Sequence, residues 1–328
     1  MKGQILGIIF LATTIIAWVG SSLLLQYIFE DSQAYNKPFL ATVLAESMKI
    51  IFFLFTLVRK KIPSSTISME KDLQTITTKN LIFLSIGIGI AMFLGNYLFN
   101  ISLGMTKVSS STIISNLSIV FIFLFSLCFL QAKFYYYKLI LSIISLAGSI
   151  VVALSQEKKG TEGIKGDIIA LISTLIYSIY AISLAFHTSK YKQFDWFRFF
   201  GYIGLVNLLL VSPFLYVVDI LNIEKFVIPS FTTILYLLFN ALLGGALPDF
   251  TWARSNVLLS PLTNDLGIGL SIPLSMIGDY ICFGTTFSLY FFLGATAVLF
   301  SFVLITYLDH KNREKDDNQK SKILIELN

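Results

Sequence analysis

The sequence predicts an all-α integral membrane protein of ten transmembrane helices, arranged as two inverted repeats of five. Three observations carry that expectation. Of the 328 residues, 55% are hydrophobic and only 13% charged, with a mean hydropathy of +0.78, whereas about 25% of residues are charged in a soluble domain. The apolar residues fall into ten runs, each close to the roughly 20 residues a helix needs to cross a hydrocarbon core. A polar connection, QEKKGTEGIKG from Gln156 to Gly166, divides the ten into five and five.

In order, the runs lie near residues 5–29, 38–58, 80–103, 109–130, 136–155, 166–187, 199–219, 231–257, 261–282 and 288–308. They read as helices, because a strand survives in lipid only in a closed barrel and shows an alternation absent here. The first run is too long for a signal-peptide core and is expected to be retained. Cys128 and Cys282 each fall inside a run, so no disulfide framework is implied and both read as packing thiols.

Lysine and arginine set the orientation. With the N-terminus inside, sixteen of the 24 fall on the cytosolic side and six on the other, while Lys49 and Arg254 lie within runs. Both termini are therefore expected in the cytosol. Topology accounts for the net charge of +5, and nucleic acid is not an expected partner. The tail KNREKDDNQKSK, mixed in sign, is expected to be disordered. The predicted units are a first repeat over 1–155, a connection over 156–165, a second repeat over 166–310 and the tail over 311–328.

Each repeat opens alike, GQILGIIF at Gly3 and GDIIALIS at Gly166, and each joins its third helix to its fourth through a short link, MTKVSSS or LLSPLTN. An odd number of helices per repeat turns the second copy upside down, the arrangement of many secondary transporters. Small residues at Ser142, Ser145 and Ser149, and at Gly294, Ala297 and Ser301, suit close helix packing.

Charges inside runs carry the functional information, since each costs at least about 2.5 kcal/mol at mid-membrane and so faces a cavity or a partner. Glu46 and Lys49, three apart, share a helix face and are expected to pair. Asp249 and Arg254, in PDFTWARS, point about 140° apart and are expected to serve different neighbours, Arg254 either as an interfacial anchor or toward solute. In the ninth run, LTNDLGIGLSIPLSMIGDY, Asp265, Gly269, Ile272, Met276 and Asp279 recur on one face, with the two acids about 21 Å apart. Asp265 is expected just inside the cytosolic end and Asp279 near the other. Pro273 removes a donor and is expected to free the Gly269 carbonyl, kinking the helix beside a cavity lined by Ser271 and Ser275. The gating or coupling candidates are thus Asp279, Pro273, Gly269 and Asp265.

Here the sequence resembles the drug/metabolite transporter superfamily, over residues 1 to about 310. LSIPLSMIGDY, FGYIGLVNLLLVSPFL and NKPFLAT are similar to subfamily F of solute carrier family 35, in its branch of vacuolar-membrane type. The resemblance implies the ten-helix inverted fold and an endomembrane, vacuolar or Golgi. LAESMK is similar to the second-helix Glu-x-x-Lys of sialic-acid and galactose nucleotide carriers, which falls on Glu46 and Lys49. LVNLLLVSP partly matches the base-reading motif of GDP-mannose carriers at Asn207, Leu209, Leu210 and the later Pro213. The phosphate-binding lysine of those carriers is Ser271 here, and the ninth run offers acids where a diphosphate needs positive charge.

Carboxylates together with Tyr97, Phe99, Tyr177, Tyr180 and Tyr202 suit a cationic or flat aromatic solute through charge and cation–π contact. The resemblance points to thiamine-like compounds. The expected substrate-binding set is Glu46, Lys49, Tyr97, Tyr180, Asn207, Ser271 and Ser275. The expected function is secondary transport of a small organic solute by alternating access, against two alternatives: a nucleotide-sugar antiporter and a non-transporting scaffold or receptor. Only two histidines exist and none has metal-ligand spacing with a glutamate, so neither an enzyme, a cofactor nor a metal site is expected. The expected partners are a small-molecule solute and the lipid bilayer, with a homodimer as the candidate assembly.

Overall fold

In the computed structural model, the described residues are 2–30, 37–59, 76–105, 114–154, 164–191, 194–222, 224–225, 229–274, 277, 281 and 288–326. The regular elements among them are helical. Seven helices are long and apolar enough to cross a membrane: Gly3–Ser21, Pro38–Thr56, Thr78–Ser102, Ile164–Ser189, Trp196–Ile220, Phe231–Leu259 and Leu289–Asn312. Two shorter apolar helices, Ile114–Phe129 and Tyr136–Val152, lie where the fourth and fifth runs were expected. The ninth run is helical over Pro261–Ile268, while Ser275 and Asp279 lie outside the described residues.

The surface is apolar and much of the polarity is inside. Ile9, Ile16, Leu124, Ile140, Leu209 and Phe300 are exposed, whereas Lys49, Ser85, Asn207, Ser255 and Ser301 are fully buried. That inversion is what lipid demands, since hydrocarbon solvates the outer side chains and the bundle must satisfy the polar ones itself. The chain is a multi-pass membrane protein.

Local chemistry fixes the helix ends. Pro38 and Pro261 occupy first-turn positions, where the missing N–H costs nothing. Asp195, Ser230 and Ser260 cap their helices by accepting from Arg198 N, Thr233 N and Thr263 N. Ser260 does so at φ 138°, a region that glycine alone adopts without strain. This is the two-helix corner that LLSPLT marks in sequence.

Three spans depart from α-geometry. The second consists of Pro38–Ser47, a 3₁₀ segment Met48–Ile51, and Phe52–Arg59. The seventh carries a π-helical stretch at Asn207–Val211 and the eighth another at Ala241–Ala246. Both π stretches pack against the second span. Wider packing is dominated by Lys2–Glu30 on Leu247–Leu259, Thr78–Met105 on Ile164–Ser189, and Tyr136–Leu154 on the last helix. In that last pair Gly148 and Gly294 face each other, each leaving no room for a Cβ against the other's carbonyl oxygen.

Two expectations need correction. The last helix runs from Leu289 to Glu326, through the stretch expected to be disordered. Lys, Glu, Arg and Gln cost little in a helix, so a helix already nucleated in the span propagates into the tail. The Gly269 carbonyl is not left free by Pro273: it accepts from Ile272 N at 3.2 Å. A tighter turn at Gly269 and Leu270 supplies the donor that proline withdraws.

Candidate functional site

The second span presents its polar residues in order along one helix. Glu224, in the segment after the seventh span, closes its start: the two carboxylate oxygens accept from Phe39 N at 2.9 Å and Leu40 N at 3.2 Å. Phe39 then meets Phe93 and Tyr97 edge-on, with ring centroids at 5.4 and 5.0 Å. Next come Glu46 and Lys49, and after them Phe52, which stacks on Phe250, itself stacked on Phe197. An ion network thus lies between two aromatic clusters.

Close approach of the flanking spans makes the network. Gly204 lies against the backbone of Lys49 and Ile50 with no space for a Cβ, and Gly245 lies likewise against Ala45. Lys49 is wholly buried, its Nζ donating to Glu46 at 2.5 Å and lying 2.7 Å from Asp249. The other Glu46 oxygen accepts from Asn96 Nδ2 at 2.9 Å. One ammonium is shared by two carboxylates that are 1% and 6% exposed. A lone charge there would be prohibitive, and the mutual attraction of the three groups, with the Asn96 donor to Glu46, offsets the desolvation.

One turn beyond Asp249, Trp252 leads to a second centre. Its Nε1–H donates to the Tyr177 hydroxyl at 3.0 Å, that hydroxyl donates to Asp265 Oδ1 at 3.1 Å, and Ser118 donates to Asp265 Oδ2 at 2.7 Å. The rings of Tyr177, Tyr180 and Trp252 stand mutually 5.3–5.7 Å apart, in tilted or edge-on pairs. Asp265 is buried, and among the described residues no lysine or arginine pairs with it. Its neighbour Asn264 is equally buried, with both amide atoms lacking a hydrogen-bond partner.

The structure therefore joins Glu46, Lys49 and Tyr180 of the expected set to one interior region and separates the rest. Tyr97 belongs to the aromatic cluster at the start of the second span. Asn207 is fully buried at the start of a π stretch, its Nδ2 turned back to Ile203 O at 3.0 Å and its Oδ1 unpartnered. Ser271 and Pro273 are half-buried beyond the turn, and Gly269 packs toward Val298 and Ser145 rather than toward the network. Asp265 lies beside Tyr177 of the helix Ile164–Ser189, two residues on from Thr263, which donates to Asp309 at 2.9 Å. Arg254 stands apart from Asp249 as anticipated, over the rings of Phe10 and Trp196.

Asp249's partnership with Lys49, and the roles of Asn96, Trp252 and Ser118, were missed. One signal was present for Asn96: it and Asn100 are four apart, as are Thr42 and Glu46, and Asn100 donates to Thr42 at 3.1 Å as Asn96 does to Glu46. Two polar stripes of equal period mark two facing helices.

Residues 5–154 match the EamA-like transporter family. A vacuolar membrane protein of Saccharomyces cerevisiae is 29% identical over 98% of this chain and 93% of its own length. A thiamine-repressible mitochondrial transport protein of the same yeast is 27% identical over 95% and 94%. Solute carrier family 35 member F5 of Bos taurus is 30% identical over 75% of this chain, which spans 48% of that longer protein. A solved structure titled "Crystal structure of protein" superposes with TM-score 0.68 over 94% of this chain and 98% of its own, at 15% identity, a likeness of fold alone. The thiamine-repressible and solute-carrier relatives are named as transporters, not as enzymes. The chain is thus similar to the EamA-like transporter family through residues 5–154, and to the two yeast proteins along nearly its whole length.

Proposed function

We propose that this transporter carries a small cationic or aromatic organic solute, such as a thiamine-like compound, across an endomembrane by alternating access. The observation that carries the reading is the interior path from the Glu46–Lys49–Asp249 network through Tyr180, Trp252 and Tyr177 to Asp265. Two carboxylates around one lysine, a third carboxylate without a cation and three ring faces favour positive charge on the solute. The printed name of the thiamine-repressible yeast relative supports the same class.

The proposed frame is ten spans in two inverted repeats, 1–155 and 166–310, joined by 156–165. Reciprocal packing supports it: the first span lies on the eighth as the third lies on the sixth, and the fifth lies on the tenth. The aromatic clusters at Phe39 and Phe52 serve as gates on either side of the network, with Tyr97 in one of them and Asn207 at the start of the π stretch Asn207–Val211. The lysine and arginine asymmetry supports a cytosolic side for both termini, and the yeast vacuolar relative favours a vacuolar membrane. A nucleotide-sugar substrate has the Glu46-x-x-Lys49 likeness in its favour. Lys49, however, is held by two carboxylates and is not free to bind a diphosphate.

Reconstitution tests the reading. Proteoliposomes holding the purified chain should take up radiolabelled thiamine faster than empty vesicles and exclude GDP-mannose. Uptake of GDP-mannose with none of thiamine reverses the assignment, and flux of neither, across a panel of organic cations, returns the protein to a scaffold role.

A further inference from the structure

We propose that Asp265 binds a proton and the solute's positive charge in alternation, so that each turnover exchanges one proton for one monovalent organic cation. The proposal rests on the cationic-solute reading above and adds the coupling ion and its carrier.

Asp265 differs from the other buried acids in what neutralises it. Glu46 and Asp249 share Lys49, and Asp309 is held by Lys138 at 2.9 Å. Asp265 has two neutral donors, the hydroxyls of Ser118 and Tyr177. Hydroxyls orient a carboxylate without cancelling its charge, and an uncancelled charge inside a membrane bundle calls for a proton or a cation. The rings of Tyr177, Tyr180 and Trp252 are packed beside it, and aromatic rings attract an organic cation but do nothing for a proton. One carboxylate cannot satisfy both, so occupancy by one excludes the other.

The surrounding charges are already committed. The helix Ile164–Ser189 brings Tyr177 and Tyr180 to this region, and Leu247–Leu259 brings Asp249, paired with Lys49, and Arg254, which lies over Phe10 and Trp196. The last helix brings Asp309, paired with Lys138. Ser118–Phe129 carries no charged side chain, and Lys2–Glu30 has charges at its ends alone. In the exchange the Asp265 O–H bond breaks, its proton leaves to water on the side from which the cation arrives, and a carboxylate–cation contact replaces it. On the other side the steps reverse, and the centre is neutral in both loaded states.

Trp252 reports the event, because its indole N–H donates to the same Tyr177 hydroxyl that donates to Asp265. The full chain carrying Trp18→Phe and Trp196→Phe keeps Trp252 as its single tryptophan and is titrated in lipid nanodiscs between about pH 4 and 9. The expected result is a one-proton fluorescence transition that vanishes in Asp265→Asn, persists in Arg254→Gln, and moves down by about one pH unit or more with saturating thiamine or tetramethylammonium. Where the tryptophan variant misfolds, difference infrared spectroscopy of the unaltered chain reads the same proton as a carboxyl C=O band lost in Asp265→Asn. No transition, or one that survives Asp265→Asn, overturns the proton site whatever the solute is. A transition that depends on Asp265 but is displaced by neither cation overturns the exchange. Displacement by tetramethylammonium in a protein that carries no thiamine upholds the exchange and removes thiamine as the solute.

Discussion

Lys49 and Asp249, from the second and eighth spans, meet at 2.7 Å, tying the two halves of the chain together across the bundle interior. Glu46 completes the contact from the lysine's own helix. Breaking a buried ion pair from one side costs about 3–5 kcal/mol, because the abandoned charge stays buried. Lys49→Met strands two carboxylates and is expected to lower thermal stability more than Glu46→Gln or Asp249→Asn. The triple variant Glu46→Gln, Lys49→Met, Asp249→Asn should recover much of that loss while solute flux stays low. Melting followed by size-exclusion fluorescence checks the order, and strict additivity of the single effects would contradict it.

Gly204 and Gly87 give opposite expectations for the same substitution. A Cβ on Gly204 would collide with the backbone of Ile50 and Lys49, which cannot rotate away, whereas at Gly87 nothing lies within 4 Å. Gly204→Ala is expected to destabilise by about 1–3 kcal/mol or more. Gly87→Ala should stabilise its helix by about 0.5–1 kcal/mol. Melting temperatures of the two variants, compared in one detergent, settle the sign of each.

Tyr177 both accepts from Trp252 and donates to Asp265. Tyr177→Phe leaves a buried indole N–H unpaired and removes a donor from the carboxylate, at about 1–3 kcal/mol. Ser118→Ala removes one donor and strands no second group, so it should be milder in stability. Thermal melting with intrinsic tryptophan fluorescence tests the ranking, and equal losses would say that the indole finds another acceptor.

How much of this was legible in the sequence depended on distance along the chain. The Glu46–Lys49 pair follows from a three-residue spacing, and the separation of Asp249 from Arg254 from a helical angle. Asp249's attachment to Lys49 could not be read, because it is decided by two glycines, Gly204 and Gly245, that let distant spans close on the second. The partners of Asp265 were unreadable for a related reason. Its position can be counted along its own helix, but the donors that reach it, Ser118 and Tyr177, come from other helices distant in sequence. The carbonyl of Gly269 was expected to be exposed on the assumption of a uniform α-helix, and a tighter turn satisfied it instead.

Ser260 separates two contributions at one corner. Its side chain caps the following helix, while its φ of 138° suits glycine. Ser260→Ala keeps the strained backbone and loses the cap, for an expected cost of about 0.5–2 kcal/mol. Ser260→Gly loses the cap but removes the strain, and is expected to be neutral or stabilising. A larger loss in the glycine variant than in the alanine variant, on chemical denaturation in detergent, would contradict the assignment of strain.

The 3₁₀ segment Met48–Ile51 places Lys49 where the second span changes its winding. Such a helix rises about 2.0 Å and turns about 120° per residue, against about 1.5 Å and 100° for the α form. Rewinding four residues would therefore retract the Phe52 end by about 2 Å and swivel it by about 80°. Phe52 stacks on Phe250 and lies 5.7 Å from Phe200, so a screw motion of that size would pull one plug out of register while leaving the other, around Phe39, in place. The lysine that joins Glu46 to Asp249 thus sits on the very segment such a corkscrew would rewind.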